Sequence, residues 1–200
     1  AHYRNLGTVE FLVDGETVVF IEANPRLQVE HTVTEAVTGL DLVRIQIDVA
    51  RGRSLADLGL TQSQVPMPRG CAVQARINLE TMAADGSAKP SGGVLSAYEP
   101  PSGPGVRVDG FGYAGYRTSA RFDSLLAKLI VHSIDLPTAA AKAHRALSEF
   151  RIAGSATNIG FLQSLLAHPA VAKGQVHTRF IEERMEELTG GPEAPKLYFE

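Results

Sequence analysis

A single cysteine, Cys71, in 200 residues excludes an intramolecular disulfide and a thiolate zinc cage, and fits a reducing cytoplasm. Basic excess is missing too. Nineteen Lys and Arg against 22 Asp and Glu leave a formal charge of -3, without the cationic face a general nucleic-acid binder needs. Long apolar runs are absent: the longest, residues 124–134, is broken by Lys128 and His132 and is too short to cross a bilayer. No signal segment is visible. No initiator methionine precedes Ala1-His2-Tyr3-Arg4, which runs almost directly into a strand pattern, so a piece of something longer is expected.

What is present is an ordinary globular composition, 44% hydrophobic and 20% charged, long enough for one large domain or two small ones. Residues 8–13 alternate apolar and polar, and residues 17–21 form a second strand-like run beyond Asp14-Gly15, which is a hairpin signal. A two-residue loop at Asp14-Gly15 would pair Val13 with Glu16 and put Glu10 and Glu22 on opposite faces. A three-residue loop, Val13-Asp14-Gly15 with Gly15 left-handed in a G1 bulge, pairs Leu12 with Glu16 and puts both carboxylates on one face. The second arrangement is the expected one.

Thr32-Val33-Thr34-Glu35 reads as a capping box, with Gly39 closing the helix it starts. Asp41 is expected to cap the next helix, with Leu42, Ile45 and Val49 as its apolar stripe and Gly52 at its end. A connector rich in turn formers covers residues 54–69. Beyond it strands dominate: residues 71–78 alternate, residues 94–98 and 106–108 are shorter, and residues 123–132 read as another strand. The last third is helical. Pro137 sits in a first turn, Ala139, Ala143, Ala146, Leu147 and Phe150 make a core-facing stripe, and Thr157 is expected to cap a helix through Leu166. Residues 182–188 read as a charged terminal helix and 189–200 as a flexible tail.

The chemistry concentrates in Phe20-Ile21-Glu22-Ala23-Asn24-Pro25-Arg26-Leu27-Gln28-Val29-Glu30-His31. Glu22 and Asn24 share one side of an extended chain and offer hard oxygen ligands suited to Mg²⁺ or Mn²⁺. Glu10 on the neighbouring strand strengthens that reading, because paired carboxylates without a cation repel. Arg26 brings a fork for a planar oxyanion and Glu30 a base a few residues away. Each has a plainer alternative: Glu22 and Asn24 as ordinary strand-end residues, Arg26 and Glu30 as a surface ion pair, His31 as a structural hydrogen-bonder.

The string from Glu22 to Glu35 resembles the signature of the biotin carboxylases, the ATP-grasp component of biotin-dependent carboxylases. The resemblance extends over residues 3–185 through ordered blocks. Gly7-Thr8-Val9-Glu10-Phe11-Leu12 looks like the family's metal-ligand strand. Ala75-Arg76-Ile77-Asn78, Pro90-Ser91-Gly92-Gly93, Gly105-Val106-Arg107, Tyr113-Ala114-Gly115-Tyr116, Phe122-Asp123-Ser124-Leu125-Leu126-Ala127-Lys128 and Thr157-Asn158 come in the family's order. Two departures stand out. Asn5-Leu6-Gly7 replaces a usual Gly-Ala-Gly, and Ser119-Ala120-Arg121 replaces a usual proline segment.

The resemblance implies an α+β fold, with residues 1–52 the end of an ATP-grasp domain and residues 66–188 a biotin carboxylase C-terminal domain. It implies that Glu10, Glu22 and Asn24 hold Mg²⁺ or Mn²⁺ on ATP phosphates. It further implies that Arg26, Gln28 and the Val29 backbone bind bicarbonate, and that Glu30 deprotonates it for attack on the γ-phosphate. Carboxyphosphate then carboxylates biotin, whose enolate Arg107 stabilises. On the sequence alone Arg107 points away from the face of Val106 and Val108, either to a site or to solvent; Asp123 reads as structural. The implied partners are a biotin carrier domain, a carboxyltransferase that chooses the acceptor, the N-terminal part of a parent enzyme and, in a homo-oligomer, a second copy of the chain; nucleic acid and membrane are not among them. The phosphate-binding lysines and Gly-rich lid of such an enzyme do not occur here, so the chain alone is expected to be inactive. The rival expectations are a carbamoyl-phosphate synthase-like ATP-grasp ligase and a non-catalytic dimerisation or docking module.

Overall fold

The computed structural model describes residues 3–119, 121–190 and 196–198. It divides into two compact units, Ala1–Arg69 and Gly70–Glu200.

The first unit is built on an antiparallel hairpin, β1 (Thr8–Asp14) and β2 (Thr17–Asn24). Its turn differs from the expected three-residue loop. The strands run on until Asp14 stands opposite Thr17, leaving Gly15-Glu16 as the connection. Gly15 takes φ 57° while no non-glycine residue among those described has a positive φ, the pattern of a type II′ turn with glycine at its first central position. Val13 then faces Val18 and Leu12 faces Val19, and Phe11 meets Phe20 edge-on at 6.2 Å. Val9, Phe11, Leu12, Val13, Val18, Val19, Phe20 and Ile21 all remain about half exposed in this two-stranded sheet.

Helices α1 (His31–Thr38) and α2 (Leu42–Ala50) come next. The expected capping box does not form. The N-cap is Glu30, which makes no side-chain capping bond, and Thr32 is buried. Glu35 instead reaches forward, its Oε1 accepting from the Leu42 N–H at 2.9 Å, so it serves the start of the next helix. Gly39 at φ 75° closes α1, and Asp41 caps α2 by accepting from the Arg44 N–H at 2.8 Å, both as expected.

The second unit is centred on a three-stranded antiparallel sheet. β3 (Cys71–Asn78) and β7 (Val106–Gly110) flank β8 (Leu125–Ser133). Alternation divides its side chains. Ala75, Ile77, Ala127, Leu129 and Val131 turn to a core covered by α3 (Leu136–Glu149) and α4 (Ile159–Ala167), which contribute Ala140, Ala143, Ala146, Leu147 and Leu166. The alanines of α3 let the helix approach the sheet closely; Asp135 caps it by accepting from the Thr138 N–H at 2.8 Å, with Pro137 in the first turn. Leu147 is 1% exposed, and Leu147→Ala is expected to lower stability by about 2–5 kcal/mol, read as a lower thermal midpoint.

Short antiparallel pairs complete the unit: β4 (Glu80–Met82) with β5 (Ala88–Pro90), and β6 (Ala97–Glu99) with β9 (Arg151–Ala153). The expected strand at 94–98 is shorter, because Val94 makes only an isolated bridge to Arg117. The cap expected from Thr157 falls to Asn158, which spends its side chain on β3: Oδ1 accepts from the Asn78 N–H at 2.9 Å and Nδ2 donates to the Arg76 carbonyl at 3.1 Å. After α5 (Pro169–Ala172), the expected helix over 182–188 is split at Arg184 into α6 (Phe180–Glu183) and α7 (Met185–Gly190). Of the expected flexible tail, residues 191–195 and 199–200 lie outside the described residues. Leu197 N–H donates to the Ser148 carbonyl at 2.8 Å, and the Arg151 guanidinium lies 6.0 Å from the Tyr198 ring centroid. No helix among the described residues is long and apolar enough to cross a membrane.

Candidate functional site

The hairpin brings Glu10 and Glu22 together by a bulge. From Asp14 to Phe11 the pairing keeps one register, Phe11 opposite Phe20; it then shifts, so Glu10 stands opposite Glu22 and Ile21 is the extra residue. Side chains alternate with a period of two, so in the unshifted register Glu10 would oppose Ile21 and the two carboxylates would lie on opposite faces. The expectation of a shared face therefore holds, but the added residue sits in β2 and not in the loop.

Asn24, 8% exposed, ties the polar side chains of this segment together. Its Nδ2 donates to Glu22 Oε1 at 2.7 Å and to Glu10 Oε1 at 3.0 Å, and its Oδ1 accepts from Arg26 Nη1 at 2.7 Å. Gln28 Nε2 donates to Glu10 Oε1 at 3.1 Å, and its buried Oε1 has no hydrogen-bond partner. Two amides thus compensate two carboxylates that would otherwise repel. The arrangement fits a divalent cation. Among the described residues no group of three or more His, Cys, Asp and Glu could hold a metal, so the hairpin offers two carboxylates and an amide. A Mg²⁺ ion typically takes one or two carboxylates and completes its shell with water and phosphate oxygens. With its present orientation Asn24 offers the carboxylates its NH₂ group; ligating a metal through Oδ1 requires the amide to turn over and release Arg26.

Arg26 and Gln28 also line a cavity of about 260 Å³, together with Thr8, Glu30, His31 and Thr34. Cation, guanidinium, amide and carboxylate chemistry are therefore contiguous along one segment. Val29 occupies the turn just before α1. His31 Nδ1 lies 2.7 Å from the Gln28 carbonyl, which fixes Nδ1 as the protonated nitrogen and gives His31 the structural part.

Arg107 lies in the second unit, on β7. Its Nε and Nη2 donate to Asp109 Oδ1 and Oδ2 at 2.7 and 2.9 Å, and Lys128 Nζ approaches Asp109 Oδ2 at 3.5 Å. Sequence reasoning missed Asp109; the signal was the opposite charge two residues along one strand, where side chains share a face. Asp123 accepts from the Leu125 N–H at 2.9 Å, in line with its structural reading.

Comparisons bear on both units. Residues 74–183 match the family described as "Biotin carboxylase C-terminal domain", and residues 1–58 match "Carbamoyl-phosphate synthase L chain, ATP binding domain". The chain is 49% identical over 186 residues to "Pyruvate carboxylase, mitochondrial" of Homo sapiens, covering 92% of this chain and 16% of that protein. It is 47% identical over 185 residues to the pyruvate carboxylase of Pichia angusta, again over 92% of this chain and 16% of that one. Among solved structures, a single-chain, multi-domain long-chain acyl-CoA carboxylase is similar with TM-score 0.88 and 50% identity, over 98% of this chain and 21% of that one. The biotin carboxylase domain of a single-chain bacterial carboxylase is similar with TM-score 0.84 and 48% identity, over 94% of this chain and 43% of that one. The chain thus spans about a sixth of the curated relatives it matches.

Proposed function

From the premise that this chain belongs to the biotin carboxylase C-terminal domain family, we propose that it forms part of a longer enzyme carboxylating biotin at the expense of ATP and bicarbonate. The observation that carries this reading is the bulged pair Glu10 and Glu22, joined through Asn24 to Arg26 and Gln28. Glu10 and Glu22, with Asn24 turned over, would hold Mg²⁺ or Mn²⁺. When bound, the ion neutralises phosphate charge during transfer. Arg26 presents a planar donor fork to bicarbonate, and Gln28 and the Val29 backbone orient it. Glu30, on the same cavity, takes the bicarbonate proton, so that the anion can attack the γ-phosphate of ATP and form carboxyphosphate. Arg107 stabilises the negative charge that develops on the biotin ureido oxygen.

The two-unit division and the two matched models support reading residues 1–52 as the end of an ATP-grasp domain and residues 66–188 as the C-terminal domain. Its partners in this reading are a biotin carrier domain, a carboxyltransferase and the remainder of the ATP-grasp fold. The lone Cys71 supports a reducing compartment, the cytoplasm in this reading, whereas the human relative is named mitochondrial. The carbamoyl-phosphate synthase alternative draws only on the match of residues 1–58, and the identity to named pyruvate carboxylases weighs against it.

The test is ADP release by the longer enzyme and by these 200 residues alone, with bicarbonate and free biotin each added or omitted. Turnover stimulated by biotin in the longer enzyme and none in the 200 residues is expected. A longer enzyme indifferent to biotin overturns the substrate assignment, and turnover by the short chain overturns the division of labour.

A further inference from the structure

The sheet of the second unit has one face that the helical core does not use. Two cross-strand rows occupy it: Arg76 opposite Lys128 opposite Asp109, and Gln74 opposite Ile130 opposite Arg107. Three cations, Arg76, Lys128 and Arg107, therefore share that face with Asp109, the one carboxylate among these strand residues. Lys128 is only 14% exposed in its side chain, whereas that of Arg107 is 50% exposed. A half-exposed arginine has many rotamers open to it, and holding it in one costs entropy.

We propose that Asp109 is the positioning residue for Arg107, its two carboxylate oxygens fixing the guanidinium plane from the Nε–Nη2 edge while Lys128 anchors the carboxylate from the neighbouring strand. The inference rests on the assignment of Arg107 to the biotin step. Two parallel bonds at 2.7 and 2.9 Å define both the direction and the roll of the guanidinium, which a single bond does not. Asp109 sits directly opposite Lys128 in the register, so the fork is referred to the most buried strand of the sheet and not to a loop. Partial burial by itself would raise the Asp109 carboxyl. The Arg107 hydrogen bond and the charges of Arg107 and Lys128 outweigh it and hold the group below the ordinary carboxylate range, so it is ionised at neutral pH. Without that charge Arg107 and Lys128 repel one another, and the half-exposed Arg107 can turn away where the largely buried Lys128 cannot.

The experiment compares Asp109→Asn, Asp109→Glu, Arg107→Ala and the double variant Asp109→Asn/Arg107→Ala in the longer enzyme, with free biotin as acceptor. Asp109→Asn is expected to lower biotin carboxylation about 10-fold or more while leaving KM for ATP and the thermal midpoint unchanged. Asp109→Glu should restore much of the rate, and the double variant should be no slower than Arg107→Ala. An Asp109→Asn enzyme as fast as the parent overturns the inference while the role of Arg107 stands. So do additive losses in the double variant, or a loss matched by a lower thermal midpoint and a changed ATP KM that Glu does not rescue. An Arg107→Ala enzyme with undiminished biotin carboxylation overturns the assignment of Arg107 itself, and the inference with it.

Discussion

Replacing Glu10 and Glu22 together with glutamine is expected to lower ATP turnover by the longer enzyme by on the order of 10²-fold or more, without unfolding the protein. Ile21 is the residue by which β2 exceeds β1 between Phe11 and Glu10, and the bulge it makes leaves Glu10 directly opposite Glu22. Glutamine keeps the length of both side chains but removes the two negative charges that a divalent cation needs. Asn24 Nδ2 can still donate to an amide oxygen at either position, so the polar network of the hairpin survives the change. The II′ turn and the apolar pairs from Asp14 to Phe11 are untouched, so the loss falls on the site. Steady-state ADP formation, Mn²⁺ binding followed by electron paramagnetic resonance, and circular dichroism together check this. Full activity in the double variant would show that the two carboxylates are irrelevant to the chemistry. Deleting Ile21 instead brings Glu22 next to Phe20, so Glu10 stays opposite Glu22 on one face, and that variant should keep its Mn²⁺ binding.

Glu30→Gln carries the second large expected effect, a fall of about 10²–10⁴-fold in bicarbonate-dependent ATP cleavage with little change in KM for ATP. Glu30 stands at the N-cap of α1 but makes no side-chain capping bond; its carbonyl accepts from the Val33 N–H at 3.0 Å, which glutamine preserves. The substitution therefore removes a proton acceptor from the cavity it shares with Arg26 and Gln28 while leaving the helix start in place. Activity measured across pH separates the roles: a rate that glutamine leaves unchanged at every pH would rule Glu30 out as the base. A raised KM for bicarbonate with unchanged kcat would make it a binding residue only.

Much of this architecture was legible from local chemistry. Gly39, Asp41, the alternation of residues 71–78 and the alanine stripe of α3 each depend on neighbours within a turn or a strand, and all appear as the sequence suggests. The misses share a cause. Thr32 fails as a cap because it is buried and already inside α1, whose N-cap, Glu30, stands two residues earlier; Glu35 then serves Leu42, a partner seven positions away. Asn158 forgoes capping to bridge Arg76 and Asn78, some 80 residues distant. The parity of the hairpin depends on where one added residue lodges, and composition does not distinguish Ile21 from its apolar neighbours. The residues of the candidate site were readable as types; their connectivity through Asn24 and the fork between Arg107 and Asp109 were not.

The half-exposed hairpin has a practical consequence of its own. A sheet of two strands has two open edges, each a row of unsatisfied backbone donors and acceptors, and here both faces carry valines, leucine, isoleucine and phenylalanines. Such a surface templates the addition of further strands. Within a larger sheet that propensity is an assembly instruction. In a purified sample of these residues by themselves it is a colloidal hazard, so concentration, not thermal stability, sets the working limits of such a preparation.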